Sequence, residues 1–291
     1  AAEEGGMIRH DVEVGVSLVG DVVAVTGQGS NGRLKSDAVV TWRSSDVRAT
    51  MNLHYLTASL LPLFARDASL FLAMAHLAPS PPHAASLPAV LKAAAAVREW
   101  LDAETLYARP ASLSQDIGGS VRRLCREGVL QQGGEAPAHT VSLRPEGASR
   151  WMQVMSLVRP LVEAHWLTAM QAPRLFAGGV ERERKEAVAV TSGNALKLHA
   201  TGRVLYAEAG NTAVVANALA FLVDKGALVE RKADKEAASG GGVERLRWLS
   251  LGSPDALRDA TAFLASLRAP SAPSPTEAEL AALFASSRGK L

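Results

Sequence analysis

The chain has 291 residues, of which 48% are hydrophobic, 21% are charged and only 5% are aromatic. This composition indicates a globular protein, because disordered chains lack the apolar surface that offsets chain entropy. The formal net charge is +2, from 31 Lys and Arg against 29 Asp and Glu, which excludes a strong field for attracting nucleic acid or lipid headgroups. The single cysteine, Cys125, excludes an internal disulfide and a cysteine-based zinc site.

One pattern occurs three times, at residues 13–42, 117–145 and 212–251. Each copy has a helical segment, a glycine, a short β-rich run, a polar loop and a second apolar run. Gly20, Gly128 and Gly226 are the three glycines, each where the end of a helix favours a left-handed residue. The pattern predicts three small β-hairpins, each similar to the last helix and wing of a winged helix.

The spacing of apolar residues predicts helices between these hairpins. The first begins at Asp46 or Thr50 and breaks near Pro62, and residues 66–78 form a second segment. The stretch from 53 to 77 is the most apolar, but it is too interrupted for a transmembrane helix, which needs about 18 apolar residues in a row.

Further helices are predicted along the rest of the chain. Residues 88–107 form one, with Pro88 in its first turn, and Ser112 or Ser114 caps the next. A long apolar helix follows at 147–176 with a kink at Pro160, and then a charged, solvated segment at 178–206.

The fold class that these patterns predict is mainly α: a helical domain with three small winged-helix-like β-hairpins. We assign residues 1–268 to this domain. Residues 269–291 form a linker rich in proline and serine and a short tail helix capped near Thr276. Because the N-terminus has neither an initiator methionine nor an apolar signal core, a removed methionine, a removed targeting peptide and a truncation all remain open.

A G-x-G-x-x-G motif occurs at Gly27, Gly29 and Gly32 after a β-like run. A dinucleotide site needs a helix to begin at the third glycine, so that its backbone amides meet the pyrophosphate. The residues that follow are strand-like instead. The motif therefore predicts a hairpin turn, and we assign no cofactor-binding residue.

Arg122, Arg123 and Arg126 lie on the helix before the second hairpin, where a winged helix would contact DNA. The matching helices of the other copies are not basic, and phosphate neutralisation dominates affinity for nucleic acid. We therefore predict a solvated helix face, and no nucleic-acid partner is expected.

Glu163 and His165 interrupt an otherwise buried helix. They could form an acid–base pair, but residues two apart lie on different faces of a helix. A buried, hydrogen-bonded Glu163 that fixes one helix against another is the favoured interpretation, because buried polar groups find partners. None of the seven histidines pairs with another at metal-ligand spacing, so no metal-binding residue is predicted.

Three stretches, at 52–64, 158–170 and 206–228, resemble the C-terminal half of the membrane-associated glycerol-3-phosphate and dihydroxyacetone-phosphate acyltransferases. They read NLHYLTASLLPLF, VRPLVEAHWLTAM and YAEAGNTAVVANALAFLVDKGAL, in the family's order. The similarity runs from about Ile8 to Leu267.

The resemblance implies acyl transfer by a His-x4-Asp pair, in which the histidine acts as general base. None of the seven histidines here is followed by an aspartate at that spacing, and the family's phosphate-binding block is missing. The similar region lies after the catalytic half, so no catalytic residue can be assigned.

We therefore expect a non-catalytic accessory or scaffold subunit in a mitochondrial, membrane-associated complex. Other protein subunits would be its partners, with peripheral membrane or lipid contact as a further possibility. The first alternative is the C-terminal part of an acyltransferase whose catalytic half is on another chain or missing. The second is a winged-helix nucleic-acid binder, which would be retained on heparin and DNA in a salt-dependent way.

Overall fold

A computed structural model of the chain describes residues 23–28, 34–42, 47–102, 104, 113–134, 139–236, 243–269 and 272–288. The described part is mainly helical with small antiparallel sheets, which confirms the predicted fold class. The chain divides into two compact units, Ala1–Thr57 and Ala58–Leu291. Within the described residues, no helix is both long and apolar enough to span a membrane.

The first unit contains an antiparallel hairpin of β1 (Val23–Gln28) and β2 (Leu34–Trp42). Its register pairs Val23 with Trp42 and shifts before Gln28, which pairs with Leu34. A strand therefore begins where a dinucleotide site would need a helix, as the sequence predicts. Gly20, Gly29 and Gly32 lie outside the described residues.

The remaining elements run through the second unit, and the boundary between the units falls inside the first helix. In chain order they are α1 (Val47–Leu77), β3 (Ala85–Ser86), α2 (Leu87–Leu101), α3 (Leu113–Arg126), β4 (Leu130–Gly133), β5 (Thr140–Leu143), α4 (Ala148–Leu175), β6 (Arg182–Glu183), α5 (Arg184–Ala200), α6 (Thr212–Asp224), β7 (Leu228–Glu236), β8 (Val243–Leu251), α7 (Pro254–Leu267) and α8 (Glu277–Arg288).

The second unit contains the same arrangement twice. A first repeat runs from α1 to β5 and a second from α4 to β8, each in the order helix, short strand, two helices, hairpin. In both, the short strand pairs with the last strand of the hairpin, giving the sheets β3-β5-β4 and β6-β8-β7. The predicted second and third hairpins are confirmed, and the repeat is longer than the sequence pattern indicated. The likeness to a winged helix stays a prediction.

The two repeats end their third helix in the same way. Gly128 and Gly226 both have φ of 73°, the left-handed conformation predicted for them. The next residue donates its backbone N–H to the helix, from Val129 to Leu124 and from Ala227 to Leu222, at 2.9 Å in each case. This turn satisfies backbone carbonyls at the helix end and starts the hairpin.

Helix α4 lies at the centre of the core. All its residues from 160 to 169 are buried, including polar ones, and it packs against α5, α6, α7 and α8. A helix that is buried on every face must find partners for each polar side chain it carries. The polar side chains of α4 must therefore lie next to hydrogen-bonding groups of other elements.

The prolines do not break the two long helices, although we predicted a break near Pro62. The expected break near Pro62 is wrong, because α1 is a single helix from Val47 to Leu77. A proline removes one backbone hydrogen bond, and burial of the following turns, including Leu70 and Phe71, outweighs that loss. Helix α4 continues past Pro160 as the single long helix that we predicted, and the kink at Pro160 stays a prediction.

The segment predicted to be charged and solvated is helix α5. Its Thr191, Ser192 and Asn194 are buried. Asn194 donates to Gln171 of α4 at 3.0 Å, and the Ser192 hydroxyl donates to the carbonyl of Gly210. The solvated assignment is therefore wrong, because these polar side chains find partners inside the fold.

The predicted helix starts agree with the structure where it describes them. Helix α2 carries Pro88 in its first turn, and α3 begins directly after Ser112, which is itself outside the described residues. Thr276 caps α8: its hydroxyl accepts from the backbone N–H of Glu279 at 3.2 Å, and the Glu279 carboxylate accepts from the Thr276 N–H at 2.7 Å. Leu280 of α8 is fully buried, so the tail packs on its own chain. The division at residue 268 stays a prediction.

Gly147 tests how closely the chain packs before α4. A Cβ on this residue would lie 2.3 Å from the backbone oxygen of Val129. We expect Gly147→Ala to lower the free energy of unfolding by about 1–3 kcal/mol, because backbone cannot move aside cheaply. Gly119→Ala is the matched control: nothing lies within 4 Å, so it should stabilise α3 by about 0.5–1 kcal/mol. Urea unfolding measures both, and equal stability of the two variants would contradict this packing.

Candidate functional site

Glu163 and His165 are buried at the centre of α4, with 2% and 1% of their surface exposed. They do not contact a common partner. Each carries its own set of hydrogen bonds, to different elements, as expected for residues on different faces of the helix. The predicted burial and hydrogen bonding of Glu163 are confirmed, although its partners are a loop and the residue after α7 and do not lie within a second helix.

The Glu163 carboxylate holds two segments that are distant in sequence. Its Oε2 accepts the backbone N–H groups of Leu205 and Tyr206, both at 3.0 Å. Its Oε1 accepts from Arg268 Nη2 at 3.1 Å. One side chain therefore fixes the loop before α6 and the chain that leaves α7.

Arg268 extends this arrangement towards the tail. Its guanidinium lies 3.5 Å from the centre of the Trp166 ring, a cation–π contact within the fold. It also donates to the Pro273 carbonyl at 2.6 Å and to the Ser274 hydroxyl at 2.9 Å. Arg268 thus attaches the proline-rich segment to α4.

Burial dominates the electrostatics of this ion pair. It raises the pKa of Glu163, although the Tyr206 and Leu205 backbone N–H groups and Arg268 act in the opposite direction. Burial also lowers the pKa of Arg268, opposed by Glu163. Burial therefore disfavours the charged form of both partners.

His165 belongs to a second buried network. Its Nδ1 lies 2.9 Å from Trp100 Nε1, and its Nε2 lies 2.5 Å from Glu104 Oε1. Since the indole can only donate, Nδ1 must accept, which places the ring proton on Nε2 where it is donated to Glu104. Asn217 of α6 donates to the other Glu104 oxygen at 3.1 Å. The network joins α2, α4 and α6.

The first repeat has an ion pair at the matching place. Asp67 of α1, with a side chain 3% exposed, accepts hydrogen bonds from Arg123 of α3 and, at 3.3 Å, from Arg150. His165 follows Asp67 by as many residues as Phe221 follows Arg123, and the rings of His165 and Phe221 are also in contact, at 5.9 Å. The same two positions therefore meet in both repeats, with different chemistry.

This arrangement changes the assignment of the α3 arginines. Arg122 and Arg126 are exposed, as predicted for a solvated face. Arg123 is instead half-buried and bonded to Glu127 and Asp67. Its side chain is 38% exposed and therefore only partly solvated, because the buried carboxylate of Asp67 on another helix needs a cationic partner.

The remaining histidines that the structure describes do not gather into a site. His83 is buried, donates from Nδ1 to the Ala78 carbonyl at 2.6 Å and stacks on Trp151. His199 contacts Val204 O at 3.1 Å. Among the residues that the structure describes, no group of His, Cys, Asp and Glu could hold a metal ion. His10 and the His54 side chain lie outside the described residues. Burial raises the pKa of the free thiol of Cys125, which makes it a weaker nucleophile.

The structure is a mainly helical domain in which one arrangement of helices and a hairpin occurs twice, held together by buried polar networks. A family model described as the glycerol-3-phosphate acyltransferase C-terminal region matches residues 17–231. The chain belongs to this family, which confirms the resemblance carried by residues 52–64, 158–170 and 206–228. No curated protein matches the chain.

The partners of Glu163 and His165 could not be found from the sequence. Trp100, Glu104 and Arg268 lie between 61 and 105 residues away along the chain, with no motif that links them. One signal was present: a glutamate and a histidine in an apolar helix predict buried hydrogen bonds. It predicts that partners exist and does not identify them.

We expect Glu163→Gln to destabilise the fold by about 1–3 kcal/mol. The amide oxygen can still accept from Leu205 and Tyr206, but the amide NH2 then faces the buried donor of Arg268. Glu146→Gln is the control: Glu146 is 67% exposed, and the change should be within about 0.5 kcal/mol of the wild type. Urea unfolding at neutral pH measures both; equal effects would refute the role given to Glu163.

The pKa of Glu163 also predicts a pH dependence. Because burial raises this pKa above its value in the unfolded chain, the folded state binds the proton more tightly. That contribution to stability is present at low pH and is lost as pH rises through the raised pKa. The unfolding free energy of the wild type should therefore fall relative to that of Glu163→Gln as pH rises above about 4.3, the ordinary pKa of glutamate. Parallel curves for the two proteins would contradict the shift.

Proposed function

We propose that this chain is a non-catalytic accessory or scaffold subunit, built on a glycerol-3-phosphate acyltransferase C-terminal region. One observation carries the proposal: the acid and base groups at the centre of α4 are used to hold the fold together. Both nitrogens of His165 and both carboxylate oxygens of Glu163 are bonded inside the protein. A general base instead needs an atom that reaches the substrate.

The location and partners are part of the same proposal. We place the chain in a membrane-associated complex of the mitochondrion, with other protein subunits as its partners, because one branch of the acyltransferase family acts there. The tail from Ala269, the hairpin loops and the proline-rich loop near Pro81 would supply the contacts.

The first alternative is supported by the family match itself. Since the match is to the C-terminal region of the acyltransferases, the chain could act together with a catalytic half that carries the His-x4-Asp pair. An open reading frame upstream of Ala1 that encodes this pair would favour the enzyme. A short targeting peptide in its place would favour the accessory subunit.

The proposal predicts that the purified chain does not transfer an acyl group from acyl-CoA to glycerol-3-phosphate. Radiolabelled glycerol-3-phosphate measures the transfer, with a complete acyltransferase of the family as the positive control. Pull-down of the tagged full-length protein should recover other subunits in stoichiometric amounts. An active chain recovered as a lone monomer would refute the proposal, and salt-dependent retention on DNA would favour the nucleic-acid alternative instead.

A further inference from the structure

A groove of about 430 Å³ lies in the second repeat, where the first turns of α5 and α6 approach strand β8. Val188 and Ala189 of α5 and Ala216 of α6 form its apolar surface. Small-molecule sites in proteins have volumes of about 300–1,000 Å³, so this groove is large enough for a ligand. It is separate from the polar networks of Glu163 and His165.

The rim of the groove is cationic. Arg184, Lys185 and Arg247 line it, and Glu183 is the carboxylate that lines it among the residues described. A second carboxylate nearby, Glu230, is already paired with Arg184 at 3.1 Å and lies 3.7 Å from Arg247. The groove therefore combines an apolar interior with an excess of positive charge at its edge.

The first repeat shows what this place looks like without a groove. Helices α2 and α5 both begin directly after the short strand of their sheet, so Leu87 and Leu91 stand where α5 has Arg184 and Val188. Both leucines pack against the core. The second repeat thus has a charged residue and a smaller one in place of two large apolar side chains.

The last strands of the two hairpins also differ between the repeats, in length. Strand β5 has four residues and β8 has nine, so the second hairpin extends further from the helices. Arg247 lies on this longer strand, two residues before the buried Leu249. Because side chains alternate along a strand, Arg247 and Leu249 are on the same face, towards the helices. The longer strand thereby supplies the outer cationic wall.

We propose that this groove binds an anionic amphiphile, a molecule with one hydrocarbon chain and a negatively charged head group. A purely ionic ligand would leave the Val188 and Ala216 surface without an apolar partner. A neutral chain would bring no anion to Arg247, which lies 3.7 Å from a Glu230 carboxylate that Arg184 already holds. A molecule with a hydrocarbon chain and a carboxylate or phosphate monoester head matches both the apolar surface and the cationic rim. This inference is independent of the proposed accessory role, since it concerns binding alone.

Two arginines have different roles at the rim. Arg184 is fixed, because it also donates to the Ala216 carbonyl at 2.9 Å. Arg247 has a side chain 52% exposed, and its distance of 3.7 Å from Glu230 is too long for a hydrogen bond. Arg247 can therefore turn to an incoming head group, while Arg184 provides a stationary charge.

Isothermal titration calorimetry on the full chain tests the proposal, with laurate and dodecyl phosphate below their micelle concentrations. Both should bind at a single site. Dodecanol and inorganic phosphate should each bind at least about tenfold more weakly, because each offers only one half of the required chemistry. Binding of phosphate alone with equal affinity would replace the amphiphile with a simple anion, and equal binding of dodecanol would remove the role of the rim. Either result overturns the proposal.

Matched variants locate the site. Ala216→Leu should weaken laurate binding about tenfold by filling the groove, whereas Ala256→Leu, at a half-buried alanine in another groove of about 340 Å³, should leave it unchanged. Arg247→Glu should weaken binding to a similar extent, and Arg258→Glu, at an arginine with a side chain 72% exposed, should not.

Thermal unfolding monitors folding of each variant. If Ala216→Leu does not fold, the two surface arginine variants decide the question. Absence of laurate binding by the wild type, or equal losses in the groove variants and their controls, would overturn the assignment.

Discussion

The enclosure of helix α4 on every face is the constraint on which the rest of the second unit depends. A helix in contact with solvent can leave polar side chains to water, but α4 has no such face between residues 160 and 169. Each polar group there needs a protein partner, or the fold loses about 1–3 kcal/mol for every one left unpaired. The partners of Glu163 and His165 therefore determine where the 205–206 loop, Arg268 and Glu104 must lie.

The duplicated arrangement shows how one backbone can hold two kinds of core. Where α1 meets α3, Asp67 and Arg123 form an ion pair near the surface, with the Arg123 side chain 38% exposed. Where α4 meets α6, His165 and Phe221 make a ring contact that is fully enclosed. Partial contact with water lowers the cost of desolvating the charges of the first pair. The two matching positions therefore differ in both chemistry and burial.

Local patterns in the sequence predicted the elements of the fold better than their contacts. Hydrophobic spacing, Gly128 and Gly226 predicted the helices and hairpins, because helix ends and turns depend on the backbone preferences of a few adjacent residues. Proline rules failed at Pro62, where burial of the following turns outweighs one lost hydrogen bond. The apolar spacing of α5 also gave no sign that Asn194 would be buried, since its partner Gln171 is on another helix.

The partners at the candidate site are harder to predict for a further physical reason. Three helices and a hairpin lie between Glu163 and Arg268 along the chain, so no short pattern records their contact. The duplicated unit offered partial help, since the glycine and hairpin pattern repeats along the chain. Asp67 and His165 occupy matching positions in it, yet an aspartate and a histidine share no residue type that a repeat search would align.

The buried networks also bear on the proposal that this chain is non-catalytic. Using His165 as a base would require breaking its bond to Trp100 or Glu104 and opening α4 to solvent, which would leave a buried indole N–H or a carboxylate unpaired. The same groups, left in place, fix α2, α4 and α6 relative to one another. A domain whose strongest polar groups are committed in this way is suited to presenting a rigid surface. The hydroxyl-activating chemistry of the acyltransferases would then have to come from other residues, as expected for an accessory subunit or for a region that works beside a catalytic half.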